Sequence, residues 1–195
     1  MPTKKPIRVL IADDQSLVRR GLVAIINMED GIEVVGEAGS GLEAIHLWRK
    51  LKPDVVLMDL RMPEMGGLDA LKKMLQEDPN AAVIVLTTFD HDEDVYSCLR
   101  SGAKSYLLKD VQPEELFLCI RAVKSGQGYL QPKIASKVVQ RVGEGTPTER
   151  EIQILQLLAQ GKSNKAIGIT LHISESTVKS HLKSLFAKLD VTSRA

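Results

Sequence analysis

The chain has 195 residues, of which 44% are apolar and 26% are charged, the balance of an ordinary globular protein. The net charge of +1 is uneven, because residues 1–130 carry 16 basic and 20 acidic side chains whereas residues 131–195 carry 10 and 5. This division indicates a small-ion or phosphate module joined to a part that meets a polyanion. The absence of an apolar run of roughly 20 residues excludes a membrane span, and the N-terminus lacks the apolar core of a signal peptide.

Apolar runs alternate with helical patterns five times from the N-terminus. Such alternation predicts parallel strands with helices on both faces, and we expect the flavodoxin-like strand order 2-1-3-4-5. The predicted strands are Ile7–Ala12, Ile32–Ala38, Asp54–Met58, Ala82–Leu86 and Ser105–Leu108. The helices predicted to follow them are Gln15–Met28, Leu42–Leu51, Leu68–Glu77, Glu93–Ser101 and Glu114–Ser125. Cys98 and Cys119 have no motif spacing, so a reducing cytoplasm is the simplest setting.

Four of the predicted strands end in polar side chains. Asp13 and Asp14 follow the first strand, and Asp59, Thr87 and Lys109 follow three others. Because the carboxyl ends of parallel strands share one edge of a sheet, we expect these groups to converge. Three carboxylates suit Mg²⁺, and a carboxylate can attack phosphorus to form an acyl phosphate. The sequence therefore predicts that Asp59 is the nucleophile, while Lys109 and Thr87 interact with the phosphoryl oxygens.

Beyond residue 126 the pattern changes. Residues 127–145 contain several glycines around a short helical pattern, Lys133–Val142, and are predicted to be a linker. From Thr148 onward only helical patterns occur, beginning with a capping box formed by Thr148 and Glu151. The predicted helices are Glu149–Ala159, Asn164–Leu171 capped by Ser163, and Glu175–Leu189 capped by Ser174. The tight turn between the last two, at His172–Ile173, is typical of a helix-turn-helix.

The last predicted helix is amphipathic. Its inward stripe is apolar and comprises Val178, Leu182, Leu185 and Leu189. Its opposite side is polar and comprises Ser176, Lys179, Ser180 and Lys183. Outward lysines most often form a solvated helix face. The preceding short helix and turn favour a second interpretation, in which this face enters the major groove of DNA.

Roughly residues 5–126 resemble the receiver domain of two-component response regulators. The residues that carry the resemblance are Asp13, Asp14, Asp59 with Met62, Pro63 and Gly66 behind it, Thr87, Tyr106 and Lys109. The resemblance implies that Asp59 takes a phosphoryl group from a histidine kinase and that the backbone carbonyl of Arg61 joins the metal ligands. It also implies that Thr87 moves toward the phosphate while the ring of Tyr106 turns inward.

Residues 146–195 resemble the LuxR/NarL-type helix-turn-helix domain through Thr148–Glu151, Gly161–Ile167 and Ile173–Leu182. The resemblance implies that Lys179, Ser180 and Lys183 read base edges. It also implies contacts to the DNA backbone by Thr177, His181, Ser163 and Asn164, although His181 fits a helix-packing role equally well.

This chain departs from the pattern of that domain at two places. Family members commonly have Glu-Ile-Ala where this chain has Ala166–Ile167–Gly168, and the glycine is expected to weaken its helix by up to about 1 kcal/mol relative to alanine. The sequence also stops at Ala195, where such domains usually continue into a fourth helix. We therefore expect the domain to lack its last helix and to close its small core with difficulty.

The sequence thus predicts a five-stranded flavodoxin-like receiver domain (1–126), a linker (127–145) and a small all-α helix-turn-helix domain (146–195). The predicted function is that of a NarL/FixJ-type response regulator, which dimerises on promoter DNA when it is phosphorylated. An alternative is a phosphorylation-dependent interaction module that does not bind DNA. A phosphohydrolase is disfavoured because position 61, where such an enzyme needs an acid or base, holds an arginine.

Overall fold

The structure is a computed structural model that describes residues 5–89, 91–141 and 148–188. Its five strands form one parallel sheet with the second strand at one edge, followed by the first, third, fourth and fifth, which confirms the predicted order. The strands are β1 (Ile7–Ala12), β2 (Ile32–Ala38), β3 (Val55–Met58), β4 (Val83–Thr87) and β5 (Ser105–Leu108). The helices of this part are α1 (Ser16–Asn27), α2 (Gly41–Leu51), α3 (Gly67–Glu77), α4 (Asp92–Arg100) and α5 (Pro113–Lys124). The remaining helices are α6 (Pro132–Arg141), α7 (Glu149–Ala159), α8 (Asn164–Leu171) and α9 (Glu175–Lys188).

The sheet is buried on both faces. Every residue of β3, β4 and β5 is buried, which explains why these strands appear in the sequence as unbroken apolar runs. Alternate residues of each strand contribute to two different cores, because successive side chains point to opposite faces. Helices α1 and α5 cover one face, and helices α2, α3 and α4 cover the other.

Helix α6 covers most of the predicted helical pattern Lys133–Val142, and it packs against both parts of the chain. Its apolar residues Ile134, Ala135 and Val138, together with Leu130 before it, are buried. They belong to one continuous core that reaches α4 on one side and α7 on the other. The core of the C-terminal helices therefore extends through α6 into the sheet domain.

The predicted helix caps of the C-terminal part are confirmed. Thr148 and Glu151 form the reciprocal capping box of α7. The Ser163 hydroxyl accepts from the Ala166 amide, and the Ser174 hydroxyl accepts from the Thr177 amide. The Ser40 hydroxyl also caps α2 by accepting from the Glu43 amide, a cap that was not predicted from the sequence.

Gly168 has a packing role that the sequence pattern did not predict. A Cβ at this position would lie 2.7 Å from the carbonyl oxygen of Ile173, at the start of the segment that leads into α9. Because glycine has no side chain, α8 can approach the turn closely at this position. The cost of this contact is the lower helix propensity of glycine.

Both cysteines are free and buried. Cys98 belongs to the core under α4 and Cys119 to the core under α5, on opposite faces of the sheet. Burial raises the pKa of each thiol to about 12, so both remain protonated and unreactive at neutral pH. Within the described residues, no helix combines the length and apolar character needed to cross a membrane.

Asp54 joins three elements at the start of β3. One carboxylate oxygen accepts from the Arg8 amide at 2.9 Å, and the other pairs with Lys124 of α5. Burial by itself would raise the pKa of Asp54, but these partners outweigh it and hold the pKa below its ordinary value of 3.8.

We expect Asp54→Asn to lower the free energy of unfolding at neutral pH by less than about 1 kcal/mol, because the ion pair with Lys124 is partly exposed. A depressed pKa stabilises the fold above the unfolded pKa, and this contribution is lost as the pH falls through the folded pKa. The difference between wild type and variant should therefore shrink below pH 3.8. Urea unfolding at neutral and acid pH measures this difference in stability. A difference that did not change with pH would contradict the lowered pKa of Asp54.

Candidate functional site

Three carboxylates meet at the carboxyl edge of the sheet. Asp13 follows β1 and Asp59 follows β3, and these two strands are adjacent and parallel. One carboxylate oxygen from each of Asp13, Asp14 and Asp59 lies within 4.8 Å of the others. Asp13 and Asp59 are 2% and 3% exposed, whereas Asp14 is exposed. An all-oxygen donor set of this kind fits a hard divalent cation such as Mg²⁺.

Lys109 reaches the cluster from the end of β5. Its Nζ lies 2.6 Å from Asp13 Oδ2 and 2.7 Å from Asp59 Oδ2. Burial alone would lower the pKa of Lys109, but the hydrogen bonds to the two carboxylates more than offset it and raise the pKa. Three formal negative charges and one positive charge leave the pocket with a formal excess of two negative charges. Such a pocket favours the addition of a cation.

The main chain holds the carboxylate of Asp59 in place. Its Oδ1 accepts from the Leu60 amide at 2.7 Å, and its own amide donates to the Ala12 carbonyl at 2.8 Å. The loop behind it closes through a bond from the Gly67 amide to the Leu60 carbonyl. The carboxylate is therefore fixed on one side by the chain and on the other by Lys109.

Thr87 and Tyr106 are both fully buried and share Phe89 as a partner. The Tyr106 hydroxyl donates to the Phe89 carbonyl at 2.7 Å. The Thr87 hydroxyl accepts from the Phe89 amide at 3.4 Å. A hydroxyl that accepts a hydrogen bond can also donate its own proton. The ring of Tyr106 thus points inward in this structure, toward the core and away from solvent.

The side chain of Arg61 is occupied elsewhere. Its guanidinium pairs with Asp94 at 3.0 Å and lies 5.1 Å from the centroid of the Phe89 ring. The side chain is thus engaged with Asp94 and Phe89. The expected metal contact of its backbone carbonyl stays a prediction.

The polar side of α9 is accessible. Lys179 is 58% exposed and pairs with Glu175 one turn earlier, and Ser180 is exposed. The opposite side, with Val178, Leu182 and Leu185, is buried, which confirms that part of the predicted stripe. Four of the other predicted DNA contacts, Ser163, Asn164, Thr177 and His181, are half-buried. The side chain of Lys183 and residue Leu189 lie outside the described parts of the chain.

Comparison with known proteins identifies both parts of the chain. Residues 9–121 match the model of the response regulator receiver domain, and residues 147–195 match that of the bacterial regulatory proteins of the luxR family. The chain belongs to the response regulators. This response regulator therefore combines a receiver domain with a LuxR-type DNA-binding domain.

Relatives of this response regulator match along nearly their whole length. It is 44% identical to the transcriptional regulatory protein LiaR of Bacillus subtilis, covering 96% of this chain and 93% of LiaR. It is 42% identical to the nitrate/nitrite response regulator protein NarP of Escherichia coli, covering 100% and 94%. Among solved structures, the response regulator ChrA of a heme-sensing two-component system is 37% identical with a TM-score of 0.60, covering 98% and 94%. RcsB, solved as two dimers bound to two parallel DNAs, is 25% identical with a TM-score of 0.65, covering 97% and 95%.

Sequence reasoning missed two residues beside the site of this response regulator. Arg19 of α1 donates to the main-chain carbonyl of Asp13 at 2.5 Å. Gly67, at the start of α3, lies against the main chain of Asp59 so closely that a Cβ would fall 1.9 Å from its carbonyl oxygen. Neither residue carries a signal in the sequence, since an arginine on a helix and a glycine before a helix both have common structural explanations.

Proposed function

We propose that Asp59 accepts a phosphoryl group from the phosphohistidine of a sensor histidine kinase, and that phosphorylation switches DNA binding. The observation that carries the proposal is the bridge of Lys109 between Asp13 and Asp59. An ammonium so placed can turn from a carboxylate to the oxygens of a phosphoryl group on Asp59. Since a kinase phosphohistidine and promoter DNA are both met in the cytoplasm, we propose that location for the protein.

In the transfer, a carboxylate oxygen of Asp59 forms a bond to phosphorus as the phosphorus–nitrogen bond of the phosphohistidine breaks. The imidazole leaves and takes up a proton, and Asp59 becomes an acyl phosphate. Asp13, Asp14 and Asp59 would hold Mg²⁺, which supplies positive charge opposite the anionic phosphoryl oxygens when it is bound. The backbone bond from Leu60 to Asp59 Oδ1 keeps the carboxylate oriented during the transfer.

Lys109 and Thr87 stabilise the product. The ammonium of Lys109 neutralises one phosphoryl oxygen, and the hydroxyl proton of Thr87 is donated to another. Phosphorylation adds about 1.5 to 2 negative charges at this point. Charge-assisted hydrogen bonds of this kind contribute roughly 1.5–3 kcal/mol each, which is enough to bias a two-state equilibrium.

Two contacts connect the phosphoryl pocket and α4 to α6. Leu108 directly precedes Lys109, and its amide donates to the side-chain oxygen of Gln131 at 3.2 Å. Gln131 directly precedes α6, and its carbonyl accepts from the Ala135 amide in the first turn of that helix. A second anchor joins Lys137 of α6 to Asp92 of α4 at 2.8 Å. A shift of Lys109 or α4 therefore changes the position of α6, and α6 packs on the DNA-binding domain.

The C-terminal domain supplies the proposed DNA contact. In this proposal Lys179, Ser180 and Lys183 of α9 meet base edges. The DNA backbone is contacted by Thr177, His181, Ser163 and Asn164. The excess of 10 basic over 5 acidic residues after residue 130 favours binding to a polyanion. Since RcsB was solved as dimers on DNA, we propose a DNA-bound dimer as the assembly of the phosphorylated form of this chain.

The proposal is tested by DNA retardation with a random-sequence duplex pool, enriched for bound sequences and assayed at one stated salt concentration. With acetyl phosphate and Mg²⁺ present, we expect retention at about tenfold lower protein concentration than without the donor. Tighter binding by the unmodified chain would contradict the proposed direction. Phosphorylation with no DNA retention in either state would support the alternative of an interaction module.

We expect Lys179→Ala to weaken binding to the selected DNA by about tenfold or more, since a base contact contributes roughly 1–3 kcal/mol. The variant loses a side chain that is 58% exposed, so the fold should be unaffected. Lys73→Ala is the matched control, because this exposed lysine lies on α3 of the receiver domain. Retardation titrations with both variants measure the effect, and equal affinities would contradict the assignment of α9.

A further inference from the structure

Arg19 lies behind the carboxylate cluster without entering it. Its Nη1 donates to the main-chain oxygen of Asp13 at 2.5 Å, and its Nε lies 3.7 Å from Glu37 Oε2 near the end of β2. The same Nη1 is 3.8 Å from the point where a Cβ on Gly39 would lie. The guanidinium therefore spans the carboxyl ends of β1 and β2.

Asp13 is held at every polar atom. Its Oδ1 accepts from the Gln15 amide at 2.9 Å, its Oδ2 from Lys109 at 2.6 Å, and its main-chain oxygen from Arg19. Its amide donates to the Ala38 carbonyl at 3.0 Å. Gln15 and Lys109 hold the two carboxylate oxygens. The bond from Arg19 fixes the main chain from which the side chain extends, and so it limits the positions that the carboxylate can reach.

An ordinary surface ion pair with Glu37 does not explain where Arg19 lies. The side chain is only 20% exposed, and its buried Nε has no hydrogen-bond partner within the described residues. A buried donor without an acceptor is unfavourable, and an arginine serving only Glu37 would avoid it by extending into water. The bond to the Asp13 carbonyl accounts for the position that Arg19 takes.

We propose that Arg19 is a positioning residue that orients Asp13 and thereby sets the affinity of the carboxylate cluster for Mg²⁺. The inference rests on the proposed function, in which this cluster binds Mg²⁺. Two effects of Arg19 oppose each other, because its charge repels a cation whereas its hydrogen bond orders a ligand. In our proposal the ordering is the larger effect.

The substitution Arg19→Lys separates the two effects. Lysine keeps the positive charge, but its ammonium is a compact group one bond shorter, which loses the planar fork between Asp13 and Glu37. Arg19→Met removes both the charge and the donors while retaining an unbranched side chain. The neighbouring Arg20 is exposed on the same helix, so Arg20→Lys and Arg20→Met are matched controls.

The experiment is isothermal titration of MgCl₂ into the unphosphorylated full chain, with thermal unfolding in metal-free buffer to show that each variant is folded. We expect both Arg19 variants to bind Mg²⁺ about tenfold more weakly than wild type, and both Arg20 variants to bind as wild type does. A second measurement is phosphorylation by acetyl phosphate against Mg²⁺ concentration. The half-saturating Mg²⁺ concentration should rise about tenfold in the Arg19 variants, with the maximal rate near that of wild type.

Each other outcome overturns the inference. Wild-type affinity in Arg19→Lys with tighter binding in Arg19→Met would show that charge alone matters. Unchanged affinity in both variants, beside a wild type that binds Mg²⁺, would remove the inference and leave the proposed function intact. A wild type that binds no Mg²⁺ would remove the metal site and the inference together.

Discussion

Asp59→Asn is expected to abolish phosphoryl uptake, lowering its rate by on the order of a thousandfold or more. An amide is a poor nucleophile toward phosphorus, and it removes one of the three carboxylates from the cation site. The asparagine retains an oxygen for the bond from the Leu60 amide, and Lys109 retains Asp13 as a partner. The measurement is intact-protein mass spectrometry after incubation with acetyl phosphate and Mg²⁺, where wild type gains one phosphate.

The matched control for this experiment is Asp54→Asn. Asp54 lies just before β3, whereas Asp59 lies just after it. The length of β3 therefore separates Asp54, which pairs with Lys124, from the carboxylate cluster. This variant should take up phosphate at the wild-type rate. A phosphate gained by the Asp59→Asn chain would place the phosphoryl acceptor elsewhere and contradict the proposed chemistry.

The cluster of carboxylates with Lys109 was predictable because strand direction determines where these groups emerge. In a parallel sheet the polar residues that follow each strand must emerge at one edge, so the position of Asp13, Asp59 and Lys109 in the sequence implied their proximity. The fully buried strands β3, β4 and β5 made the runs easy to recognise. Their apolar stretches have no competing interpretation as amphipathic helices, since they are only four or five residues long.

The docking of α6 was not predictable in the same way. Leu130 before it and its own residues Ile134 and Val138 recur at helical spacing, which indicates one buried side. The spacing does not identify the surfaces that cover this side, because α4 and α7 are distant in sequence and belong to different parts of the chain. The glycines on either side of α6 favoured the interpretation as a linker.

Arg19 was missed for a related reason. A basic residue in the first turns of a helix is normally solvated. The bond of Arg19 to the Asp13 carbonyl depends on the angle between β1 and α1. That geometry is set by the tertiary packing of α1 on the sheet. Local patterns therefore identify groups that perform chemistry more readily than groups that orient them.

Gly67→Ala is expected to be the most damaging single-methyl change near the site. The added Cβ would lie 1.9 Å from the carbonyl oxygen of Asp59 and 3.0 Å from Cγ of Met58. Backbone cannot move aside as a flexible side chain can, so either α3 or the loop that carries Asp59 must shift. We expect a loss of about 3 kcal/mol in the free energy of unfolding and a fall of roughly 10 °C in Tm.

Gly21→Ala is the matched control, because Gly21 lies in the interior of α1, is exposed, and has nothing within 4 Å of the added Cβ. Alanine is the better helix former, so this variant should be more stable than wild type by roughly 0.5–1 kcal/mol. Thermal unfolding of the two variants measures the difference directly. Equal stabilities of Gly67→Ala and Gly21→Ala would show that the start of α3 is not packed tightly against the main chain of Asp59. If the Gly67→Ala chain is folded at low temperature, its phosphorylation rate should still be reduced. The shift required to admit the methyl group displaces the main-chain carbonyl of Asp59, the proposed nucleophile.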